Sequence, residues 1–220
     1  MIPLQFALRR RMMMAGGGGG APISDLPLGA LINVGTDGGE GTPNYEIADK
    51  DNLVSGGVVL VRKNIYSESK FGSSTNYPNG TLDNLIKITI YNKMPQQLRD
   101  KMMNVTFALK GSNSITRKMF ALTYTMAGFG NNNRVAEGKA LQLYTSVASR
   151  VKTFNGSANI WWLSSEAAYD FGFVWDVDAY GFDYEHEPSS MLGVVPAFAI
   201  PGDTLSKLTP NTDGSYNLIL

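Results

Sequence analysis

The 220-residue chain has no cysteine and only one histidine, His186. Without cysteine there can be no disulfide framework, thiolate metal site, cysteine nucleophile or redox-active cysteine pair. A single histidine also excludes a multi-histidine metal site within one chain. Charged residues make up 17%, below the roughly 25% typical of soluble domains, and nineteen basic residues balance nineteen acidic ones. The molecule as a whole is therefore not expected to attract a polyanion.

Long apolar runs are also missing. No stretch reaches the roughly 18 apolar residues of a membrane-spanning helix, so we expect no membrane insertion. The 43% of apolar residues suffices for one substantial core, because a chain of this size buries roughly 70% of its unfolded surface. Glycine is abundant, with 24 residues, beside ten tyrosines and ten phenylalanines. This composition favours a loop-rich β or α+β domain with tight turns between short aromatic strands.

The zero net charge hides a division along the chain. Residues 1–152 hold eighteen basic and ten acidic residues, whereas residues 153–220 hold one basic residue, Lys207, and nine acidic ones. All three tryptophans lie in this second, acidic part. Acidic and aromatic residues without lysine or arginine disfavour nucleic acid as a ligand, because phosphate binding requires basic side chains. Sugars, cationic surfaces and proteins remain possible ligands.

The amino-terminal segment combines apolar and basic residues before a run of five glycines at 16–20. A signal peptide has the opposite order, with its positive charges before a longer apolar run. Two interpretations are open: a tail without fixed structure, or a docking segment on a flexible glycine hinge. We expect residues 1–25 to dock onto other proteins. The docking residues would be Phe6, Leu8, Arg9, Arg10 and Arg11.

Residue patterns predict short strands and a few helices. The predicted strands cover 30–34, 45–48, 58–61, 105–109, 119–124, 160–163, 171–177, 181–185 and 193–200, and residues 35–42 form a turn. Apolar residues at helical spacing predict a helix over 82–89, and Pro95 marks the start of another through Met102. A third short helix is predicted over Glu137–Tyr144.

The aromatic residues of the acidic part follow a two-residue period. Phe173 and Trp175 fit a strand face that packs into the core. The aromatic residues that follow, flanked by glycine and acids, are expected to be exposed. Exposed tyrosines beside small and acidic residues resemble the contact chemistry of an antibody paratope. The predicted ligand-binding residues are Tyr169, Asp170, Phe171, Asp178, Tyr180, Phe182, Asp183, Tyr184 and His186.

Two motifs carry a family resemblance: Trp-Trp-Leu-Ser-Ser at 161–165 and Gly-Val-Val-Pro-Ala-Phe at 193–198. They resemble an uncharacterised domain of phage tail and bacterial surface proteins, which is similar to the C-type lectin-like fold of the formylglycine-generating enzyme superfamily. The resemblance covers about residues 26–205. Ser164 and Val195 depart from it, since the family usually has arginine at both places. The catalytic members of the superfamily use cysteines, so the resemblance does not extend to oxidase activity.

The resemblance implies a C-type lectin-like α+β fold of short twisted antiparallel strands, two or three helices and long loops. It also implies that the loops at about 165–190 are displayed for binding. The domain would span 26–205, followed by a carboxy-terminal extension over 206–220. Scaffold residues would be Trp161, Trp162, Trp175 and Phe198.

We therefore expect a non-enzymatic phage virion protein, without cofactor or metal. It would be a tail-fibre or receptor-binding domain on the particle surface, in tail or capsid, that binds a host cell-surface protein or glycan. It would contact other virion proteins through its amino-terminal segment and form a homo-oligomer, with a trimer favoured. Three alternatives remain open at this point. One is an architectural capsid or tail decoration protein, another is a glycan hydrolase with paired carboxylates, and the last is a calcium site built from the acids between Asp176 and Glu187.

Overall fold

The computed structural model describes residues 19–39, 41–110, 112–167 and 172–220. Two sheets dominate this part of the chain. The strands, numbered in chain order, are β1 (Gly20–Pro22), β2 (Leu31–Asn33), β3 (Asn44–Lys50), β4 (Gly57–Arg62), β5 (Glu68–Ser69), β6 (Val105–Leu109), β7 (Ser112–Arg117), β8 (Met119–Ala121), β9 (Lys152–Phe154), β10 (Ser157–Asn159), β11 (Trp161–Glu166), β12 (Val174–Val177), β13 (Asp183–His186), β14 (Leu192–Gly193), β15 (Pro196–Pro201), β16 (Leu205–Lys207) and β17 (Tyr216–Ile219).

The larger sheet has eight strands in the order β1-β16-β17-β2-β3-β4-β15-β8. The strands β3, β4 and β15 are buried along almost their whole length. This suits the apolar runs of β4 and β15, whereas β3 also carries polar residues. The strands β2 and β3 are antiparallel neighbours, as expected for strands on either side of the turn predicted at 35–42. At the other end of the sheet, β1 pairs with β16, and β17 pairs with β2. The sheet thus extends past both predicted domain boundaries, at 26 and at 205.

The smaller sheet has five strands in the order β13-β12-β11-β14-β5. Its central strand β11 carries the two adjacent tryptophans, Trp161 and Trp162, and both are fully buried. The hairpin β12–β13 forms one end of this sheet, so that β13 is an edge strand. Two further strand pairs, β6–β7 and β9–β10, lie outside the two sheets.

The helices are short: α1 (Thr81–Asn84), α2 (Tyr91–Lys93), α3 (Gln96–Lys101) and α4 (Val147–Arg150). A π-helical segment, Leu85–Ile90, joins α1 to α2, and the predicted helix over 82–89 lies inside this continuous stretch. Pro95 stands directly before α3, which confirms the second predicted helix. The third prediction was wrong, since Glu137–Tyr144 contains no helix.

One core lies between these elements. The ring of Tyr45 packs against Phe198 with centroids 5.1 Å apart, and the ring of Phe71 packs against Trp162 at 5.6 Å. The described chain is thus rich in sheet with a few short helices, in agreement with the expected α+β class. None of its helices is both long enough and apolar enough to span a membrane.

Candidate functional site

The β12–β13 hairpin places aromatic side chains on the edge strand of the smaller sheet. Asp176 pairs with Tyr184 in the antiparallel register, and Val174 pairs with His186. Since alternate residues of a strand share a face, Tyr184 and His186 point to the same side as Asp176. The two rings lie 5.3 Å apart.

Three aromatic side chains at this hairpin are exposed to solvent. The exposed fractions are 76% for Tyr180, 54% for Phe182 and 58% for Tyr184. Large aromatic side chains usually dominate cores and interfaces, so several exposed together indicate a surface that contacts something else. These three residues are called the aromatic patch below.

The hairpin turn that carries the patch is fixed by one carboxylate. The Oδ1 atom of Asp178 accepts hydrogen bonds from the backbone N–H groups of Tyr180, at 2.9 Å, and Phe182, at 2.8 Å. The backbone N–H of Asp178 donates to the carbonyl of Phe182, also at 2.8 Å. Gly181 completes the turn with a φ of 90°, a backbone conformation that residues with a Cβ rarely adopt. The patch is therefore presented by an ordered turn.

The opposite face of the hairpin is anchored to the body of the protein. The hydroxyl of Tyr124 donates to Asp183 Oδ2 at 2.8 Å, and its ring packs against Trp175 with centroids 4.7 Å apart. The indole N–H of Trp175 donates to Asn132 Oδ1 at 3.1 Å. These contacts attach both strands of the hairpin through one shared residue, Tyr124.

An aspartate–histidine pair lies beneath the patch. The Nδ1 atom of His186 is 2.7 Å from Oδ2 of Asp176, whose side chain is fully buried. Burial raises the pKa of Asp176 to about 6, against the opposing effect of the bond to His186. The negative charges of Asp178 and Glu185 raise this pKa further. The pair joins the two strands on the patch side.

A polar network that the sequence did not predict supports the end of β11. Glu137 is fully buried, and its carboxylate accepts hydrogen bonds from the backbone N–H of Lys110 at 2.7 Å and the hydroxyl of Ser165 at 2.5 Å. Asn132 donates to the same carboxylate at 3.3 Å and accepts from Trp175. Burial raises the pKa of Glu137. No sequence signal distinguishes this glutamate from an ordinary surface acid.

The structure places most of the predicted contact residues at this hairpin. Tyr180, Phe182 and Tyr184 are exposed as predicted, whereas His186 is half-buried. Asp178 and Asp183 also lie here, but both form internal hydrogen bonds that build or anchor the hairpin. Their contact with a ligand stays a prediction. The remaining predicted contacts and the predicted docking residues lie outside the described residues: Tyr169, Asp170, Phe171, Phe6, Leu8, Arg9, Arg10 and Arg11.

The predicted scaffold residues occupy the interior to different degrees. Trp161, Trp162 and Phe198 are fully buried, and Trp175 is partly buried under the hairpin. The indole N–H of Trp161 donates to the Arg150 carbonyl at 3.0 Å, which ties β11 to α4.

Acidic side chains at the hairpin do not form a metal cluster. Within the described ranges, no three side chains of the histidine, cysteine, aspartate or glutamate type are arranged to hold a metal ion. A separate polar cleft of about 230 Å³ lies nearby, lined by residues that include Asn76, Lys110, Ser164 and Glu166. The hairpin thus presents exposed aromatic side chains, and the cleft is a distinct, mainly polar feature.

Comparison with known protein families shows that a family model matches residues 55–202. The matched region begins just before β4 and ends just after β15, so it includes the whole β12–β13 hairpin. No curated protein and no solved structure matches the chain. Because the family model covers well over half of the 220 residues, the chain belongs to the family described as Domain of unknown function (DUF6273).

Proposed function

We propose that this chain is a non-enzymatic phage virion protein that binds a host-surface ligand through the aromatic patch. The observation that carries this proposal is the exposure of Tyr180, Phe182 and Tyr184 on a hairpin whose backbone is fixed by Asp178. Rigid aromatic anchors provide a large contact area at a low cost in conformational entropy. A surface of this kind is suited to recognition.

The arrangement of the two sheets supports a display role. The motif at 161–165 forms the buried strand β11, and the second motif contributes β14 and the buried strand β15. The two ends of the described chain meet in the larger sheet, while the hairpin lies at the edge of the smaller one. On this basis we infer a C-type lectin-like fold, in which the buried strands form a scaffold that carries the contact residues.

The placement in a particle is the remaining part of the proposal. The amino-terminal segment, with Phe6, Leu8 and the arginines 9–11, would attach the chain to other virion proteins. Assembly as a homotrimer would present three aromatic patches together, and several weak contacts would then bind a cell surface with high avidity.

The test measures binding of the labelled full chain to a panel of intact bacterial cells with different surface types. The variant Tyr180→Ser/Phe182→Ser/Tyr184→Ser removes the patch. A matched control, Leu28→Ser/Ile88→Ser/Leu220→Ser, removes three apolar side chains that are also exposed but lie elsewhere. Circular dichroism and thermal unfolding establish that all three proteins are folded.

We expect wild type and control to bind at least one cell type and the patch variant to lose this binding. Equal binding by all three proteins would exclude the patch as the contact surface. Failure of the wild type to bind any cell in the panel would also count against the proposal. In that case an architectural role in the particle would become the better explanation.

A further inference from the structure

The aromatic patch lies in a part of the molecule with excess negative charge. Asp178 forms the turn directly beside it, and Glu187 follows β13 and is exposed. The sequence has no lysine or arginine between Lys152 and Lys207. Among the described residues, neither Asp178 nor Glu187 forms an ion pair with a basic side chain. The surface therefore combines exposed rings with carboxylates that lack a cationic partner there.

Two basic groups close to the hairpin already interact with other groups. The guanidinium of Arg150 lies 4.2 Å from the ring centre of Phe129, and its charge interacts with Asp183 on the opposite side of the hairpin. His186 is bonded to Asp176. The negative charges of Asp178 and Glu185 also act on the buried Asp176, whose ionisation they oppose. The local charge balance thus favours a cation as the missing partner.

We propose that the ligand of the aromatic patch is a cationic segment of a protein, in which arginine or lysine side chains lie over Tyr180, Phe182 and Tyr184. This inference rests on the proposed function and specifies its ligand. The rings attract a cation through their faces, and the aliphatic part of a long basic side chain can pack along them. Arginine fits better than lysine, because its planar guanidinium also stacks on aromatic rings.

Other ligand classes use this surface less well. A neutral glycan could stack on the rings, but the carboxylates of Asp178 and Glu187 would contribute no charge pairing. An anionic glycan or a phosphate-bearing ligand would be repelled by the same carboxylates. Only a cationic ligand uses both features of the surface.

The test uses the full chain and fluorescein-labelled octapeptides of alternating glycine with arginine, lysine or glutamate. Fluorescence anisotropy gives the dissociation constants. We expect the arginine peptide to bind best, the lysine peptide more weakly and the glutamate peptide not at all. Raising the salt concentration from about 25 to 300 mM should weaken binding, because screening shortens the range of surface charges. Binding that ignores salt, or a preference for neutral oligosaccharides such as maltotetraose, would overturn the inference.

Two double variants separate local from overall charge. Asp178→Asn/Glu187→Gln removes the charge at the turn and the exposed charge that follows β13, and asparagine retains the Oδ1 acceptor of the turn. Asp100→Asn/Asp203→Asn removes two exposed charges elsewhere and has the same net charge. We expect the first variant to weaken binding of the arginine peptide about fivefold, as two surface ion pairs allow, and the second to leave it unchanged. Equal effects of the two variants would show attraction by overall charge and overturn the inference.

The failure of this inference can be told apart from failure of the proposed function. Cell binding that depends on the patch but is unaffected by Asp178→Asn/Glu187→Gln would retain the binding role and exclude a cationic ligand. Cell binding that survives loss of the patch would exclude the role itself.

Discussion

Gly181 packs so closely against the backbone carbonyl of Val147 that a Cβ atom at position 181 would overlap this oxygen. The contact joins the tip of the β12–β13 hairpin to α4. Since the obstacle is backbone, it cannot move aside as a flexible side chain could. The position of the aromatic patch therefore depends on the absence of a side chain at residue 181.

We predict that Gly181→Ala destabilises the protein and impairs binding through the patch. The substitution combines a φ of 90° with a steric clash, and these cost about 1–2 and about 1–3 kcal/mol. Gly156→Ala is the matched control, because Gly156 has a φ of 82° but no atom within 4 Å of the added Cβ. Urea unfolding should show the larger loss for Gly181→Ala. Equal losses would mean that the contact with Val147 is unimportant.

A second prediction concerns the carboxylate that builds the turn. Asp178→Ala removes the acceptor for the N–H groups of Tyr180 and Phe182. Asp178→Asn keeps the Oδ1 atom to which both groups donate. We expect the alanine variant to lose about 1–3 kcal/mol of unfolding free energy and the asparagine variant much less. Amide hydrogen exchange at 180 and 182 should accelerate in Asp178→Ala alone. Unchanged exchange would contradict the assigned role of Asp178.

The buried network around Glu137 gives a third prediction. Glu137→Ala leaves the Lys110 N–H and the Ser165 hydroxyl without this acceptor, whereas the Asn132 amide keeps its bond to the Glu166 carbonyl. Buried groups without partners cost about 1–3 kcal/mol each, so we expect a loss of at least about 2 kcal/mol in urea unfolding. Glu137→Gln keeps the shape and one acceptor oxygen and should lose less. Similar, small losses for both variants would show that the network contributes little to stability.

The same segment shows why sequence reasoning failed at one predicted helix. Glu137, Leu141 and Tyr144 have helical spacing, and all three are indeed buried. The segment is held in a loop instead, because its backbone bonds to other parts of the chain. Leu141 N–H donates to the Met126 carbonyl, and Leu143 N–H donates to the Ala48 carbonyl. Such long-range partners cannot be recognised from local periodicity.

Local patterns were sufficient where local forces decide the structure. The apolar runs of β4 and β15 predicted buried strands, and Pro95 predicted the start of α3. The glycine and acids that flank the rings from Tyr180 to Tyr184 predicted that these rings are exposed, as they are. The roles of the acids were not predictable, because Asp178 and Asp183 bind groups that only the folded hairpin brings near them. The sequence pattern thus predicted the candidate surface. The contacts that hold this surface in place are seen only in the folded structure.

A fourth prediction follows from the buried Asp176 and its raised pKa. The folded protein holds a proton on Asp176 up to about pH 6, whereas the unfolded chain releases it near the ordinary aspartate pKa of 3.8. Between these values the folded state binds more protons, so the contribution of Asp176 to stability is present below about pH 4 and lost as the pH rises through 6. This pKa shift corresponds to a change in the free energy of unfolding on the order of 3 kcal/mol.

Asp176→Asn removes this titration and keeps an oxygen that can accept a bond from His186. Urea unfolding from pH 4 to 7.5 should therefore show the stability of wild type falling relative to Asp176→Asn up to about pH 6 and then levelling off. Asp203→Asn changes an exposed residue and serves as the control. Its unfolding free energy should differ from that of wild type by the same amount at every pH. Because the bond and the charge of His186 lower the pKa of Asp176, His186→Leu, which supplies neither, should move the fall to higher pH. A pH-independent difference between wild type and Asp176→Asn would show that burial does not raise this pKa.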